Sequence, residues 1–245
     1  MKGIRMEKVV IGNDSHHPFH DQRTCDMFVD FIAEEQPNMV VLNGDMLDCY
    51  NISSFNKDPL TKETLQEEVD SCYWFLHSIR EAAGKDCKIV YIEGNHENRM
   101  QRFLWGKAPQ LWSLDCLKIE GLLWLDELDI QYRQSIDIGK FHIYHGSLVR
   151  QDAGYTAKAE YLKNGQSGIT GHTHRDAKFT KRTRGGHYVW YENFCMCDLD
   201  AEYINGVANW TQGWSMLTTV GSRQYVDQIP VINHRYIWKG EEIKS

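Results

Sequence analysis

Five times along this chain a short apolar run stops and is followed within about three residues by Asp, Asn or His, and nothing else in the sequence restricts the fold as much. Lys8-Val9-Val10-Ile11 leads to Asp14 and His16, and Met39-Val40-Val41-Leu42 leads to Asn43-Gly44-Asp45-Met46-Leu47-Asp48. Ile89-Val90-Tyr91-Ile92 leads to Gly94-Asn95-His96-Glu97, Phe141-His142-Ile143-Tyr144 to His145-Gly146, and Ser167-Gly168-Ile169-Thr170 to Gly171-His172-Thr173-His174. Each run reads as a strand that ends by delivering polar side chains. If the strands are neighbours, those side chains converge on one edge of an α/β fold, where ligand sites of such sheets lie.

Helices are expected between the runs. Cys25, Phe28, Phe31 and Ile32 share one face of a helix from Asp21 to Glu35, which Pro37 ends. Leu65, Val69, Cys72, Leu76, Ile79 and Ala83 repeat at spacings of four and three, and Gly84 follows them, so residues 61 to 83 read as an amphipathic helix covering the sheet. A further helix carries Arg99, Arg102, Phe103, Leu104 and Trp105 until Pro109 interrupts it, while 110 to 128 is mixed and carries no assignment. Beyond 175 the chain turns to Thr, Tyr, Trp and Val, with Gly185-Gly186 as a hairpin turn, which predicts strands and turns. No repeat, low-complexity tract or Pro/Ser-rich linker divides it, so one domain over 1–245 is expected, with a motif-bearing core of about 8–175 and a β-rich part of about 176–245.

The 42% hydrophobic and 25% charged composition excludes a disordered chain, and the net charge of -7 excludes a surface coated in positive charge for duplex DNA. Seven cysteines, scattered and without CxxC spacing, suit reduced thiols better than a disulfide framework. Cys195-x-Cys197 would point both thiols to one face of a strand, but two ligands make a poor soft-metal site. With neither a signal peptide nor an apolar run long enough for a membrane, the cytoplasm is the expected location.

Asp14, His16, Asp45, Asn95, His145, His172 and His174 are too many donors for one ion. Taken singly, a His at a strand end is more often a hydrogen-bonded structural residue, and an Asp after Gly a turn residue. Five such motifs together are hard to obtain from turn chemistry alone. Carboxylate, imidazole and amide oxygen suit two borderline divalent ions bridged by one carboxylate, with manganese first and iron, zinc, nickel or cobalt as alternatives. The absence of thiolate from the set argues against a closed structural zinc. Glycines at 44, 94, 146 and 171 would let each backbone turn sharply off its strand.

Asp14-x-His16, Gly44-Asp45-x-x-Asp48, Gly94-Asn95-His96-Glu97, His145 and Gly171-His172-x-His174 together resemble the ordered signature of the calcineurin-like metallophosphoesterases. The resemblance covers roughly residues 8 to 175. It implies a β-sandwich of two mixed sheets flanked by helices, where strand-helix alternation alone suggests an open sheet. It further implies that Asp14, His16 and His174 hold one metal and Asn95, His145 and His172 the other, with Asp45 bridging. His96 would then assist the leaving oxygen, and Asp48 would orient it. Ions roughly 3.5–4 Å apart would activate a bridging hydroxide for in-line attack on phosphorus.

Substrate is less legible, because similar proteins include protein phosphatases, nucleotide hydrolases, phosphodiesterases and nucleases. Cys49 follows Asp48 where the protein phosphatases carry a phosphate-gripping Arg, which counts against that branch, and Glu97 leans away from the nucleases. Arg99 and Arg102, at i and i+3 of the expected helix, and Asn95 are the candidates to contact the substrate phosphate; the arginines could instead pair with Glu97 or a surface acid. Lys178, Lys181, Arg182 and Arg184 form a basic cluster that reads as a solvated hairpin face or as a guide for a nucleic-acid strand. Tyr50, Phe55, Trp105, Tyr155, Trp190, Trp210 and Trp214 are mostly core candidates, one or two of which could stack on a base. The compact length favours a phosphomonoester such as a nucleotide. A nuclease or phosphodiesterase is the enzymatic alternative. A non-catalytic scaffold is disfavoured, because relatives of that kind lose ligands that are all present here.

Overall fold

The computed structural model describes residues 6–54, 57, 63–200 and 208–245. Phe55 lies outside the described residues. In chain order the elements are β1 (Met6–Gly12), α1 (Gln22–Glu35), β2 (Met39–Leu42), α2 (Leu65–Ala83), β3 (Lys88–Ile92), α3 (Glu97–Lys107), α4 (Ile119–Leu122), β4 (Ile130–Arg133), β5 (Ile136–Ile138), β6 (Phe141–Ile143), α5 (Tyr155–Asn164), β7 (Ser167–Thr170), β8 (Asp176–Thr183), β9 (Gly186–Asn193), β10 (Gln212–Val220), β11 (Arg223–Val231), β12 (Arg235–Trp238) and β13 (Glu241–Lys244). The unassigned stretch after α3 contains two short 3-10 turns, Pro109–Ser113 and Asp115–Leu117, and then α4.

Two mixed sheets face each other. The first has the order β11-β10-β1-β2-β3-β4, in which β1 to β4 are parallel, β10 is antiparallel to β1 and β11 is antiparallel to β10. The second has the order β5-β6-β7-β9-β8, with β6, β7 and β9 parallel. Side chains on β1 alternate between two cores, as the two-residue period of a strand requires. Val9 and Ile11 join Val41, Val90, Ile92, Phe141, Ile143, Ile169 and Leu217 between the sheets. Val10 points the other way and packs with Phe28, Phe31, Leu76, Ile79 and Trp214 under α1 and α2. Both faces of the parallel strands are therefore covered, which explains why their sequences read as continuous apolar runs.

Local signals agree with the helices. Asp21 caps α1 by accepting from the Thr24 amide, and Gln36 closes it in the left-handed region with φ 42°. Thr64 and Glu67 form a reciprocal capping box at the start of α2, and Gly84 ends it. The strand content of the last third agrees with the structure, but its placement was not readable locally. β10 inserts beside β1 through the register Val10↔Met216, and β9 inserts between β7 and β8. None of the helices among the described residues is long and apolar enough to cross a membrane.

Trp214 on β10 is fully buried against Phe28, Phe31 and Tyr236. Trp214→Ala should therefore lower stability by about 3–5 kcal/mol in equilibrium denaturation; a loss below about 1 kcal/mol would contradict this packing.

Candidate metal centre

The C-terminal ends of β1, β2 and β3 in one sheet and of β6 and β7 in the other point to the same edge of the sandwich. Three groups of donors form there, in each of which the potential ligand atoms lie within 4.8 Å of one another: Asp14 with His16 and His174, His16 with Asp45 and His96, and Asp45 with His145 and His172. Asp14 Oδ1 is 3.1 Å from His174 Nε2 and 3.6 Å from His16 Nε2, while Asp45 Oδ2 is 3.0 Å from His145 Nε2 and 3.7 Å from His96 Nε2. Asn95 is exposed, one residue before His96.

The backbone reaches this geometry only in part by the expected route: Gly44 (φ 86°) and Gly146 (φ 92°) turn as glycine allows, but the donors themselves turn as well. Asp14, His16, Asp45, His172 and His174 all adopt positive φ, between 52° and 68°. Non-glycine residues take up that region at a cost, and they do so mainly where surrounding contacts hold them. Two of the neighbouring glycines serve a different need. A Cβ at Gly94 would overlap the Asp45 carboxylate, and one at Gly171 would come within 2.5 Å of Asp14 Oδ2. Gly94 and Gly171 thus make room for donors that sit on adjacent loops.

Sequence reading missed the groups that hold these loops. Glu97 is fully buried, and its carboxylate accepts from the amides of Gly94 (2.8 Å), Asp45 (3.0 Å) and Leu47 (3.1 Å) and from the Tyr91 hydroxyl (2.6 Å). It thereby ties the loop after β2 to the loop after β3. Asn13 donates to the carbonyls of Asn193 (2.6 Å) and Phe194 (3.0 Å), and Ser215 donates to Asn193 Oδ1 (2.6 Å), fastening the first loop to β9 and β10. An Asn directly before the first Asp was visible in the sequence, but its partners lie about 180 residues away.

The donor set fits divalent cations. His16 Nε2 and His174 Nε2 lie 3.1 Å apart and 3.6 and 3.1 Å from Asp14 Oδ1, so three donor atoms of a type suited to a divalent cation face one another. His145 Nε2 is buried and, although close to Asp45, is not aligned to hydrogen-bond with it. Burial alone would raise the Asp14 carboxyl, yet the His174 and His145 imidazoles hold it well below the usual carboxylate range. Burial likewise opposes protonation of His145, but Asp45 and Asp14 outweigh it and push that imidazole up to about 10. Burial also lowers His172 and His174. In the metal-free centre, then, His145 holds a proton at neutral pH that an incoming cation must displace.

Beside the donors lies a second set. His96 Nδ1 is 3.0 Å from the Asp48 carbonyl and 3.1 Å from Asp48 Oδ2, which also lies 3.1 Å from His16 Nδ1. Arg99 on α3 donates to the Asp48 carbonyl (2.9 Å) and to Asp48 Oδ1 (3.1 Å), and its Nη2 is 3.0 Å from His96 Nε2. Arg102, one turn further along, is exposed. Trp210 packs edge-on against His174 with ring centroids 4.3 Å apart, whereas Trp190 and Trp214 are core residues. Cys195 and Cys197 do not share a regular strand but form single bridges, and a third donor, His174, joins them within 4.8 Å.

Fold and donor set together are those of the metal-dependent phosphoesterases. The chain belongs to the calcineurin-like phosphoesterase family, which it matches over residues 7–211. It is similar to the Gene 54 proteins of Mycobacterium phage D29 (29% identity, 94% of this chain and 96% of the relative) and of phage L5 (27%, with the same coverage). Among solved structures it resembles vacuolar protein sorting 29 from Cryptosporidium parvum (13% identity, TM-score 0.52, covering 98% of this chain and 99% of that one). It also resembles the purple acid phosphatase PPD1 of yellow lupin (13% identity, TM-score 0.51, covering 93% and 52%). Likeness at this level of identity concerns the fold.

Two outcomes are expected at the centre. Glu97→Gln puts an amide NH2 against backbone donors and should cost about 1.5–3 kcal/mol, with loss of metal uptake; unchanged stability and uptake would remove Glu97 as the tie. Metal binding should release protons and tighten as pH rises toward the His145 value of about 10. Calorimetry in buffers of different ionisation enthalpy reads this directly, and no buffer dependence would contradict it.

Proposed function

We propose that this chain is a phosphomonoesterase acting on a small phosphate ester, a nucleotide first among them. Asp14, His16 and His174 would hold one divalent ion, Asn95, His145 and His172 a second, and Asp45 both, with manganese the first choice of metal. When bound, the ions supply positive charge to the phosphoryl oxygens and bring the pKa of a water toward neutrality.

The observation that carries the monoester reading is the Arg99 guanidinium, held by Asp48 at 3.1 Å beside His96. A planar cation fixed next to the donor cluster suits the terminal oxygens of a dianionic phosphate, which a diester lacks. In the substrate-free chain Arg99 Nη2 occupies His96 Nε2, while His96 Nδ1 faces Asp48. An arriving phosphate would draw the guanidinium toward itself and free the Nε2 lone pair, which takes up a proton from solvent that His96 then passes to the leaving oxygen. Asp48 keeps the imidazole turned that way throughout. The Trp210 indole at the His174 edge of the centre offers an aromatic face to a base, which supports a nucleotide.

The basic cluster gives less support to a nuclease. Lys178, Lys181, Arg182 and Arg184 are exposed on the β8–β9 hairpin. Its tip lies eight residues beyond Asp176, or roughly 25 Å at the rise of a strand. Most of that charge is therefore remote from the centre.

The test is hydrolysis of an aromatic phosphate monoester and the matching diester by metal-stripped protein, before and after adding manganese. Manganese-restored turnover with monoester preferred is expected; diester preference would overturn the monoester reading. His96→Ala should retain metal and lose about 10²–10⁴-fold in turnover, whereas Asp45→Asn should lose both. A fully active, fully metallated Asp45→Asn variant would remove the bridging assignment.

A further inference from the structure

A histidine that binds a metal through one ring nitrogen is oriented by whatever accepts the proton on the other. Three imidazoles of this centre turn Nε2 toward the carboxylate donors, and each has a different acceptor behind it. His145 Nδ1 lies 2.8 Å from the Asn43 carbonyl, and His16 Nδ1 lies 3.1 Å from Asp48 Oδ2. His174 Nδ1 lies 3.7 Å from the sulfur of Cys197.

That sulfur is placed by more than chance packing. Cys197 is fully buried, its carbonyl accepts from the Gln212 side chain at 2.9 Å, and it bridges to His20. The Met196 amide donates to the Asp14 carbonyl at 3.0 Å, and the Thr211 amide donates to the His174 carbonyl at 2.8 Å. The segment is thus bonded to both loops that supply donors to the same group. Trp210 also packs edge-on against His174, so both an indole and a thiol contact the imidazole.

Cys195 Sγ donates to the Thr211 carbonyl at 3.6 Å. In the metal-free chain His174 Nε2 lies 3.1 Å from Asp14 Oδ1, which only accepts, so the ring proton sits on Nε2. A cation bound at Nε2 moves that proton to Nδ1, which faces the Cys197 sulfur.

We propose that Cys197 is a positioning residue for His174, its sulfur accepting the Nδ1–H of the metal-ligating tautomer and keeping Nε2 turned toward Asp14 and His16. Sulfur accepts a hydrogen bond more weakly than the carboxylate behind His16 or the carbonyl behind His145. The affinity of the ion bound through Asp14, His16 and His174 is then tuned from behind the ligand. This rests on the metal-centre part of the proposed function.

The first readout is the ¹H–¹⁵N correlation spectrum of the histidine side chains in zinc-loaded protein. His174 in the unaltered chain should ligate through Nε2 with its proton on Nδ1. Ligation through Nδ1, or an unligated His174 ring, overturns the proposal even if the Cys197→Val variant fails to fold. The second readout is manganese titration. Cys197→Val should weaken one ion about tenfold and leave the other within twofold, while Cys72→Ala, a buried thiol on α2, should change neither. Equal weakening of both ions, or the same loss in Cys72→Ala, would reduce Cys197 to core packing. If the unaltered chain binds neither zinc nor manganese, the metal-centre reading fails and the role of Cys197 fails with it; if it binds them and Cys197→Val binds them equally well, only the role of Cys197 fails.

Discussion

The buried carboxylate of Glu97 is the interaction on which the centre depends. A carboxylate without water is costly to bury unless its lone pairs are filled. Here three amides and a phenol fill them, and two of the amides belong to the loop that presents Asp45. Satisfying Glu97 and placing Asp45 are therefore one event. Because Glu97 also begins α3, the same bond network sets where that helix starts and hence where Arg99 reaches Asp48 and His96.

A second dependence runs between the sheets. Asp14, Asp45 and His96 hang from the first sheet, while His145, His172 and His174 hang from the second, so the donors meet only if the sandwich closes in one register. The apolar layer of Ile11, Val41, Ile92, Ile143 and Ile169 supplies the attraction without direction. The hydrogen bonds from Asn13 and Ser215 to the backbone and side chain of Asn193 supply the direction, since buried amides tolerate few alternative alignments. Left-handed backbone at Asp14, His16, Asp45, His172 and His174 is held by that closure.

Much of this was legible in the chain. Apolar runs of buried parallel strands, the Asp21 and Thr64 caps, and the Gly84 stop are local signals, and they depend on neighbours within a helical turn. The residues that cluster at the candidate centre were legible too, because Asp14, Asp45 and the histidines follow directly on strand ends. Glu97 was visible, but as a mark of family branch rather than as the tie it forms with Gly94, Asp45 and Leu47. Arg99 was a candidate for phosphate, and its partner proved to be Asp48 rather than Glu97.

What the sequence determined by itself was therefore the kind of element at each position and the chemistry delivered at each strand end. Periodicity and side-chain type depend only on local chain geometry. Tertiary structure alone decided that β10 would sit beside β1, that Asn13 would meet Asn193, and that the thiols of Cys195 and Cys197 would stand behind His174. Those outcomes depend on contacts between residues far apart in the chain, whose pairing is chosen by closure of the two sheets and by the need to satisfy every buried polar group at once.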